Sequence, residues 1–361
     1  MQLSSDDLPL FFTPAHGELA ERLRAAAPLI AAADIDDRAA GAVLAKSGLF
    51  EIAVGARDSR ALCLVREALG YLSPRADSIF AVQGLGTYAV AMTGAVDVKP
   101  FAHGEQIAAF ALTEPEAGSD VAAIATRAEP AGDGFALTGE KLFISNLGLA
   151  DHALVVAREG ERLSAFWLDL AAPGVTITPQ TPTAPHAIGA LSLAGAAAQR
   201  VGEAGQGMKL ALQTLDAFRV SVGAAAVGMA RRALDEALGF VTQRKQFGKL
   251  LSEQPLVQAH LADMVVDLDA ARLLVLRAAH RKDTVGGRVT TEVSIAKLGA
   301  TEAAQRVIDR AVQLFGGRGV MQGAVVEHLY RAIRPLRIYE GTSEIQRTII
   351  GRALAQGAQQ P

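Results

Sequence analysis

A segment rich in predicted strands interrupts an otherwise helical sequence, and this order restricts the possible folds more than any other feature. Between about residues 105 and 205, short runs such as "KLFISN", "HALVVA" and "SAFWLD" are rich in β-branched and aromatic residues. Gly, Asp and Pro separate these runs. Short strands at this spacing, with turn residues between them, predict an antiparallel barrel or sandwich.

The flanking segments have helical patterns. Residues 1–104 are rich in alanine and leucine and are broken by proline and glycine, which predicts short helices. After about residue 206, apolar residues recur three and four positions apart, as in Val227, Ala230, Leu234, Leu238 and Val241, and again in Ala304, Val307, Ala311 and Leu314. Long helices with short connections predict a bundle. We therefore predict three domains: helical 1–104, β-rich 105–205 and a helical bundle 206–361.

Composition excludes several classes of protein. Half of the 361 residues are apolar and the net charge is −3, so a sizeable core is possible and nucleic-acid binding is disfavoured. The single cysteine, Cys63, has no disulfide partner and is expected to be buried, and no Cys/His cluster has metal-ligand spacing. The first residues lack a basic and then apolar leader, and no run approaches the roughly 20 apolar residues of a membrane span. We expect a cytoplasmic protein with no metal and no membrane partner.

Two glycine clusters have competing interpretations. Gly84, Gly86 and Ala89 match a dinucleotide-binding fingerprint, but the segment before them shows no strand alternation. Close packing of a helix at these glycines is the preferred interpretation. Gly316 and Gly317 in "QLFGGRGV" are expected to end a helix, and glycines also allow a ligand to approach the backbone.

The stretch "RIYEGTSEIQR" contains the candidate catalytic residue. Glu340 follows Ile338 and Tyr339 and is followed directly by Gly341, so it lies at a break with apolar neighbours. This setting suits a carboxylate that acts as a base. The alternative is a surface glutamate at a helix start, where it would interact favourably with the helix dipole.

Five motifs, in this order, resemble those of the acyl-CoA dehydrogenase family: "FALTEPEAGSDVAAIATRAE", "GEKLFISNLGLADHALVVAR", "RKQFGKLL", "QLFGGRG" and "IYEGTSEIQR". The resemblance is close from about residue 106 to the end and diffuse before that. It implies a mainly α fold with a central β-domain: an N-terminal helical domain, a middle antiparallel β-barrel and a C-terminal four-helix bundle. It also implies FAD as cofactor and a homo-oligomer in which each FAD touches two subunits.

The resemblance further implies a reaction. The family removes a proton from Cα and a hydride from Cβ of an acyl-CoA thioester, which gives trans-2-enoyl-CoA and reduced flavin. Glu340 matches the family's base, and burial beside Tyr339 is expected to raise its pKa. Some members take their base from another helix, but the matching position here is Phe218, which cannot accept a proton.

The cofactor residues implied by the resemblance fall on all five motifs, except Gln254, which follows the third. Phe143 stands where the family usually has tryptophan, and Ser145 keeps the hydroxyl that donates toward flavin N5. Gln254 lies beside Pro255, which replaces a family glutamine. The full set of cofactor candidates is Phe110, Leu112, Thr113, Ser119, Phe143, Ile144, Ser145, Arg244, Gln246, Phe247, Gln254, Gln313, Gly316, Gly317, Thr342 and Glu344.

The substrate contacts are Ser119, Asp216, Arg219, Tyr339 and Gly341, and we expect Gln83 and Thr87 to line the acyl tail. An electron-transfer flavoprotein is the expected electron acceptor. Three alternatives stay open: a flavin oxidase, which the change at Phe143 keeps possible, a related flavoenzyme with no net redox change, and a family member without activity.

Overall fold

The computed structural model describes residues 8–285 and 289–357. Backbone contacts divide the chain into two compact units. The helical unit comprises residues 1–28, 59–74 and 219–361, and the barrel unit comprises residues 29–58 and 75–218. Each unit is built from segments far apart in sequence, so the division into three consecutive domains stays a prediction.

The described residues before the first strand are mainly helical. The side chain of Asp36 caps one of these helices by accepting a hydrogen bond from the Ala39 amide at 2.8 Å. Two of the helices have 19 and 20 residues, longer than the short helices expected from the sequence. The helices are α1 (Pro14–Ala32), α2 (Asp37–Lys46), α3 (Phe50–Ala53), α4 (Ser59–Leu72), α5 (Pro74–Thr93) and α6 (Lys99–Ala102).

Seven strands form one closed sheet in the barrel unit. They are β1 (Ala108–Ala111), β2 (Arg127–Ala131), β3 (Gly134–Ser145), β4 (His152–Glu159), β5 (Arg162–Asp169), β6 (Val175–Pro179) and β7 (Ile188–Val201). The path β4-β2-β3-β7-β5 closes because β5 also pairs with β4. Strand β1 pairs with β4, and β6 pairs with β7. The order of helices, strands and helices confirms the predicted fold class.

The sequence predicted an antiparallel barrel, but two of the strand pairs in the barrel are parallel. Strand β1 runs parallel to β4, with Ala108 opposite His152, and β2 meets β4 in parallel at one residue pair. A parallel pair needs a long connection between its strands. The loop and the two strands between β1 and β4 supply that connection, which local strand patterns do not reveal.

The barrel core is apolar, with one buried ion pair beside it. Leu137, Phe166 and Leu191 are fully buried in this core. Lys141 donates from Nζ to Glu114 Oε1 at 2.7 Å, and Glu114 accepts hydrogen bonds from the amides of residues 125 and 126. This pair ties strand β3 to the loop after β1.

The glycines of α5 have the packing role preferred from the sequence. Both Gly84 and Gly86 lie inside a helix, so they do not open a βαβ unit. A Cβ on Gly84 would collide with the Phe218 ring, and one on Gly86 would lie 2.8 Å from the Ala108 Cβ. The dinucleotide-binding alternative is therefore wrong.

The C-terminal helices include four long ones and a small hairpin, within the described residues. The predicted stop is confirmed, because α9 ends at Phe315 and Gly316 follows with φ 59°. Leu238 is 48% exposed, however, and Ala233 and Ala237 form the buried face near the end of α7. The elements are α7 (Gly207–Val241), β8 (Lys245–Gln246), β9 (Lys249–Leu250), α8 (Pro255–Thr284), α9 (Thr290–Phe315), α10 (Val325–Ile333) and α11 (Ser343–Gly357).

Helix α7 is the one helix of the described residues that is long and apolar enough to cross a membrane. Its most apolar window has a mean hydropathy of 1.2, and 78% of that window is buried inside the protein. Burial of this kind is what the core helix of a bundle requires.

Candidate active site

Glu340 lies at a backbone break between α10 and α11. Its φ is 52° and that of Gly341 is 92°, so two consecutive residues adopt left-handed conformations. Glycine takes this conformation freely, but a residue with a Cβ does so at a cost of about 1–2 kcal/mol. Strain of this kind concentrates at functional sites, where the surrounding structure maintains it.

The Glu340 side chain is buried although it belongs to a loop. Only 6% of it is exposed, and Oε1 lies 4.0 Å from Arg66 Nη1 in α4. The surface-glutamate alternative for this position is therefore wrong. The nearby cation favours the charged carboxylate, in the direction opposite to the effect of burial.

The main chain on the C-terminal side of Glu340 is held by two buried cations. Arg219 donates from Nε to the Glu340 carbonyl oxygen at 2.9 Å, and Lys297 donates from Nζ to the Gly341 carbonyl oxygen at 2.8 Å. Gln346 also donates to the Gly341 oxygen, at 3.0 Å. Arg219, a predicted contact of the CoA or thioester end, has a buried side chain that supports the Glu340 backbone, and its contact with substrate stays a prediction.

Gly341 is required by space as well as by conformation. A Cβ at this position would lie 2.5 Å from Gln346 Nε2. The prediction that this position is kept free of a side chain therefore has a physical basis.

Lys297 is fully buried, and burial lowers its pKa to about 8 although nearby Glu340 acts to raise it. At neutral pH the ammonium group is therefore still mostly charged. It adds positive charge to the surroundings of Glu340.

Phe218 is fully buried and packs against Tyr88, with ring centroids 6.2 Å apart. It has no group that accepts a proton and it fills space in the barrel unit. This position offers no second base.

In the barrel unit, strand β3 presents the candidates for the flavin ring. Phe143 has φ 58° and its side chain is 61% exposed, while Ser145 is half-buried. Ser145 Oγ lies 3.3 Å from His186 Nε2, and His186 Nδ1 lies 3.0 Å from the Ala184 carbonyl oxygen. Burial lowers the pKa of His186, so a neutral ring donates from Nδ1 and accepts at Nε2.

Other barrel candidates differ in what their side chains can contact. Ile144 and Leu112 have side chains buried in apolar clusters, so their main chains are the groups that could meet a cofactor. Thr113 is half-buried and its carbonyl oxygen accepts from the Leu142 amide at 2.9 Å. Ser119 is exposed, and Phe110 and Asp216 are half-buried.

Gln83 and Thr87 do not line an acyl pocket, contrary to expectation. Both are fully buried. Gln83 uses Nε2 for the carbonyl oxygens of Phe101 and Gln106 and uses Oε1 for the Ala108 amide. These hydrogen bonds link α5 to β1 and the segment before it. They explain why the apolar helix α5 contains the polar residue Gln83.

Candidates in the hairpin after α7 are exposed. Phe247 and Gly248 form its two-residue turn with φ 53° and 77°, and the Phe247 side chain is 97% exposed. An aromatic residue in such a turn is strained, because this turn favours Asn and Gly. Arg244 and Gln246 are exposed beside it, and half-buried Gln254 immediately precedes α8.

The remaining candidates surround the ends of α9 and α11. Gln313, Gly316 and Gly317 are exposed. Thr342 Oγ1 accepts from the Ile345 amide at 3.3 Å and thus caps α11. Glu344 is exposed and Tyr339 is 38% exposed.

Sequence reasoning missed Arg66, Lys297 and His186. The two cations lie inside the apolar runs "CLVREAL" and "VSIAKLG". Lys and Arg are almost never fully buried unless paired, so these positions carried a usable signal. His186 has no such signal, because its neighbours "TAPHA" lie in the loop before β7.

Comparison with known proteins assigns the chain. Residues 109–194 match the acyl-CoA dehydrogenase middle domain, and residues 205–355 match the acyl-CoA dehydrogenase C-terminal domain. The probable acyl-CoA dehydrogenase YngJ of Bacillus subtilis (strain 168) is 39% identical over 269 residues, which cover 71% of this chain and 70% of YngJ. The chain belongs to the acyl-CoA dehydrogenase family.

Further relatives extend this assignment. The caffeyl-CoA reductase-Etf complex subunit CarC of Acetobacterium woodii is 37% identical over 272 residues, which cover 71% of this chain and 70% of CarC. The butyryl-CoA dehydrogenase structure from Megasphaera elsdenii superposes with a TM-score of 0.88 at 29% identity, covering 95% of this chain and 99% of that one. Acyl-CoA dehydrogenases are FAD-dependent, and the chain is an oxidoreductase acting on acyl-CoA.

The residues of strand β3 fit a flavin. An exposed ring at Phe143, two residues from the Ser145 hydroxyl, offers an apolar surface and a polar group to one planar ligand. In a chain of this family, such an exposed and strained aromatic residue is what a bound cofactor would cover.

Proposed function

We propose that this enzyme removes hydrogen from Cα and Cβ of an acyl-CoA thioester to give trans-2-enoyl-CoA, with Glu340 as the base. The proposal rests on one observation: the Glu340 side chain is only 6% exposed, and its backbone adopts a left-handed conformation. Its backbone is supported by Arg219 and Lys297. A base that must be held in one position accounts for a glutamate that is both strained and buried here.

In this reaction the ionised Glu340 accepts the Cα proton and becomes a carboxylic acid. The Cα–H and Cβ–H bonds break, a carbon–carbon double bond forms and a hydride leaves Cβ. When bound, FAD supplies the acceptor for that hydride. The hydrogen bonds to the carbonyl oxygens of Glu340 and Gly341 fix two successive peptide planes, so the base is positioned before substrate binds.

The residues that would hold the cofactor lie on strand β3, in the hairpin after α7 and at the end of α9. Phe143 would cover one face of the flavin, and the Ser145 hydroxyl would turn from His186 Nε2 to donate to the flavin. Arg244 suits a pyrophosphate, which a guanidinium can bind through two hydrogen bonds. The exposed Phe247 ring would meet the cofactor of a neighbouring subunit, and Gln313, Gly316 and Gly317 its adenine end. We therefore include a homo-oligomer in the proposal.

For the substrate, Ser119 and Asp216 would contact the CoA portion, with Tyr339 and Gly341 beside the thioester. An electron-transfer flavoprotein would take the electrons, and the relation to an Etf-complex subunit supports that partner. We place the reaction in the cytoplasm.

The test is anaerobic bleaching of the FAD-loaded protein by saturated acyl-CoA thioesters of straight, branched, cyclic and aromatic type. Wild-type protein is expected to be yellow and to bleach with at least one of them. The Glu340→Gln variant is expected to stay yellow and to fail to bleach. Glu236→Gln, which alters a surface ion pair of α7, is the matched control and is expected to behave as wild type.

Outcomes separate the alternatives. Rapid recovery of colour in air would favour the oxidase that the change at Phe143 keeps open. Protein that takes up no FAD would favour a member without activity. Bleaching of Glu340→Gln at the wild-type rate would remove Glu340 as the base.

A further inference from the structure

Arg66 is a buried cation in the middle of α4. Its side chain is 1% exposed, and Nη1 donates to Ser221 Oγ at 3.1 Å. The same nitrogen lies 4.0 Å from Glu340 Oε1. A guanidinium stays charged in proteins, so its burial requires hydrogen bonds and opposite charge. Ser221 and Glu340 supply both.

We propose that Arg66 is a positioning residue for Glu340, which holds the carboxylate in one orientation and in its charged form. The proposal rests on the proposed function, because only an ionised Glu340 can accept the Cα proton. An opposite charge within about 4–6 Å favours the ionised form of a carboxylate. Because Arg66 is itself buried and bound to Ser221, it presents its charge in a fixed place.

The other charged groups near Glu340 have different tasks. Arg219 from α7 and Lys297 from α9 donate to main-chain carbonyl oxygens. Glu302 of α9 and Glu344 of α11 are negative charges that act to raise the pKa of Lys297. Arg66 therefore places a cation 4.0 Å from the carboxylate oxygen, and Arg219 and Lys297 also hold the main chain that carries the carboxylate.

A double-mutant cycle measures the pair without substrate. Arg66→Met, Glu340→Gln and the double variant are loaded with FAD and unfolded in urea. Each single change removes one buried charge and leaves the other, so we expect the double variant to be more stable than the summed single losses predict. Additive losses would overturn the proposal. Arg66→Gln replaces the methionine variant in the same cycle if that variant is not recovered folded.

The pH profile of flavin bleaching by butyryl-CoA distinguishes positioning from a merely structural role. We expect the acid limb to move to higher pH by about one unit in Arg66→Met and to stay near wild type in Arg66→Lys. Arg272→Met is the matched control, since Arg272 is a buried arginine of the same unit paired with Glu67, Nε to Oε1 at 3.0 Å. Its acid limb should not move.

An unmoved limb in Arg66→Met, or an equal shift in Arg272→Met, would overturn the proposal. If neither butyryl-CoA nor another acyl-CoA thioester bleaches wild-type protein, the proposed function fails. The unfolding cycle then decides the role of Arg66 by itself.

Discussion

Arg219 and Glu340, 121 positions apart in the chain, are joined by a hydrogen bond from the guanidinium Nε to the Glu340 carbonyl oxygen at 2.9 Å. The bond connects the core helix α7 to the loop that carries the candidate base. It explains how a left-handed glutamate can persist, because a charged donor on a buried helix fixes the following peptide plane.

We expect Arg219→Met to lose about 1.5–3 kcal/mol of unfolding free energy, the usual worth of a hydrogen bond from a charged group. Its bleaching rate should fall more than its FAD content, since Glu340 keeps its carboxylate but loses its position. Urea unfolding and anaerobic bleaching measure the two effects. Arg232→Met, which removes a half-buried arginine of α7 that pairs with Glu236, is the control. A wild-type bleaching rate in Arg219→Met would contradict the role of this hydrogen bond.

The strain at Glu340 can be measured by comparing Glu340→Gly with Glu340→Ala. Both variants lack the carboxylate and should not bleach. Only glycine adopts φ 52° without a Cβ penalty, so the glycine variant should be more stable than the alanine variant by about 1 kcal/mol. Thermal or urea unfolding decides this, and equal stability would show that the backbone here is relaxed.

Gly341→Ala tests the neighbouring position. Its φ of 92° and the contact of a new Cβ with Gln346 Nε2 both oppose a side chain. We expect a loss of at least about 1 kcal/mol in stability and a clear loss of bleaching. Gly351→Ala is the matched control, because Gly351 lies within α11 and a Cβ there meets nothing within 4 Å. That change should be neutral or stabilising by up to about 1 kcal/mol.

Local patterns were sufficient where a residue's role depends on its own neighbours in sequence. The strand-rich segment, the helix stop at Gly316 and the break at Glu340 were predicted in this way. The parallel pairing of β1 with β4 was not, because it depends on a partner more than forty residues away. Arg66 was missed for the same reason, because its ion pair with Glu340 forms only when α4 packs against the loop that carries Glu340. Gln83 was misassigned because a buried amide can serve the backbone as well as a ligand.

Lys297 predicts a specific pH dependence of stability. Its pKa is lowered by burial to about 8, whereas an unfolded lysine has a pKa of about 10.4. Between these values the unfolded chain binds more protons than the folded one, so this lysine makes stability rise with pH across that window. The whole contribution is on the order of 3 kcal/mol.

The unfolding free energy of wild type minus that of Lys297→Met should therefore increase from pH 8 to pH 10.4. Urea unfolding at several pH values measures it, and the difference removes the effects of groups that both proteins share. Lys209→Met removes an exposed lysine of α7 and serves as the control. Burial also lowers the pKa of Lys141 to about 8. The stability difference between wild type and Lys141→Met should therefore also change in favour of wild type over the same pH range. A constant difference across the window in Lys297→Met would show that the buried ammonium beside Glu340 keeps its proton as an exposed lysine does.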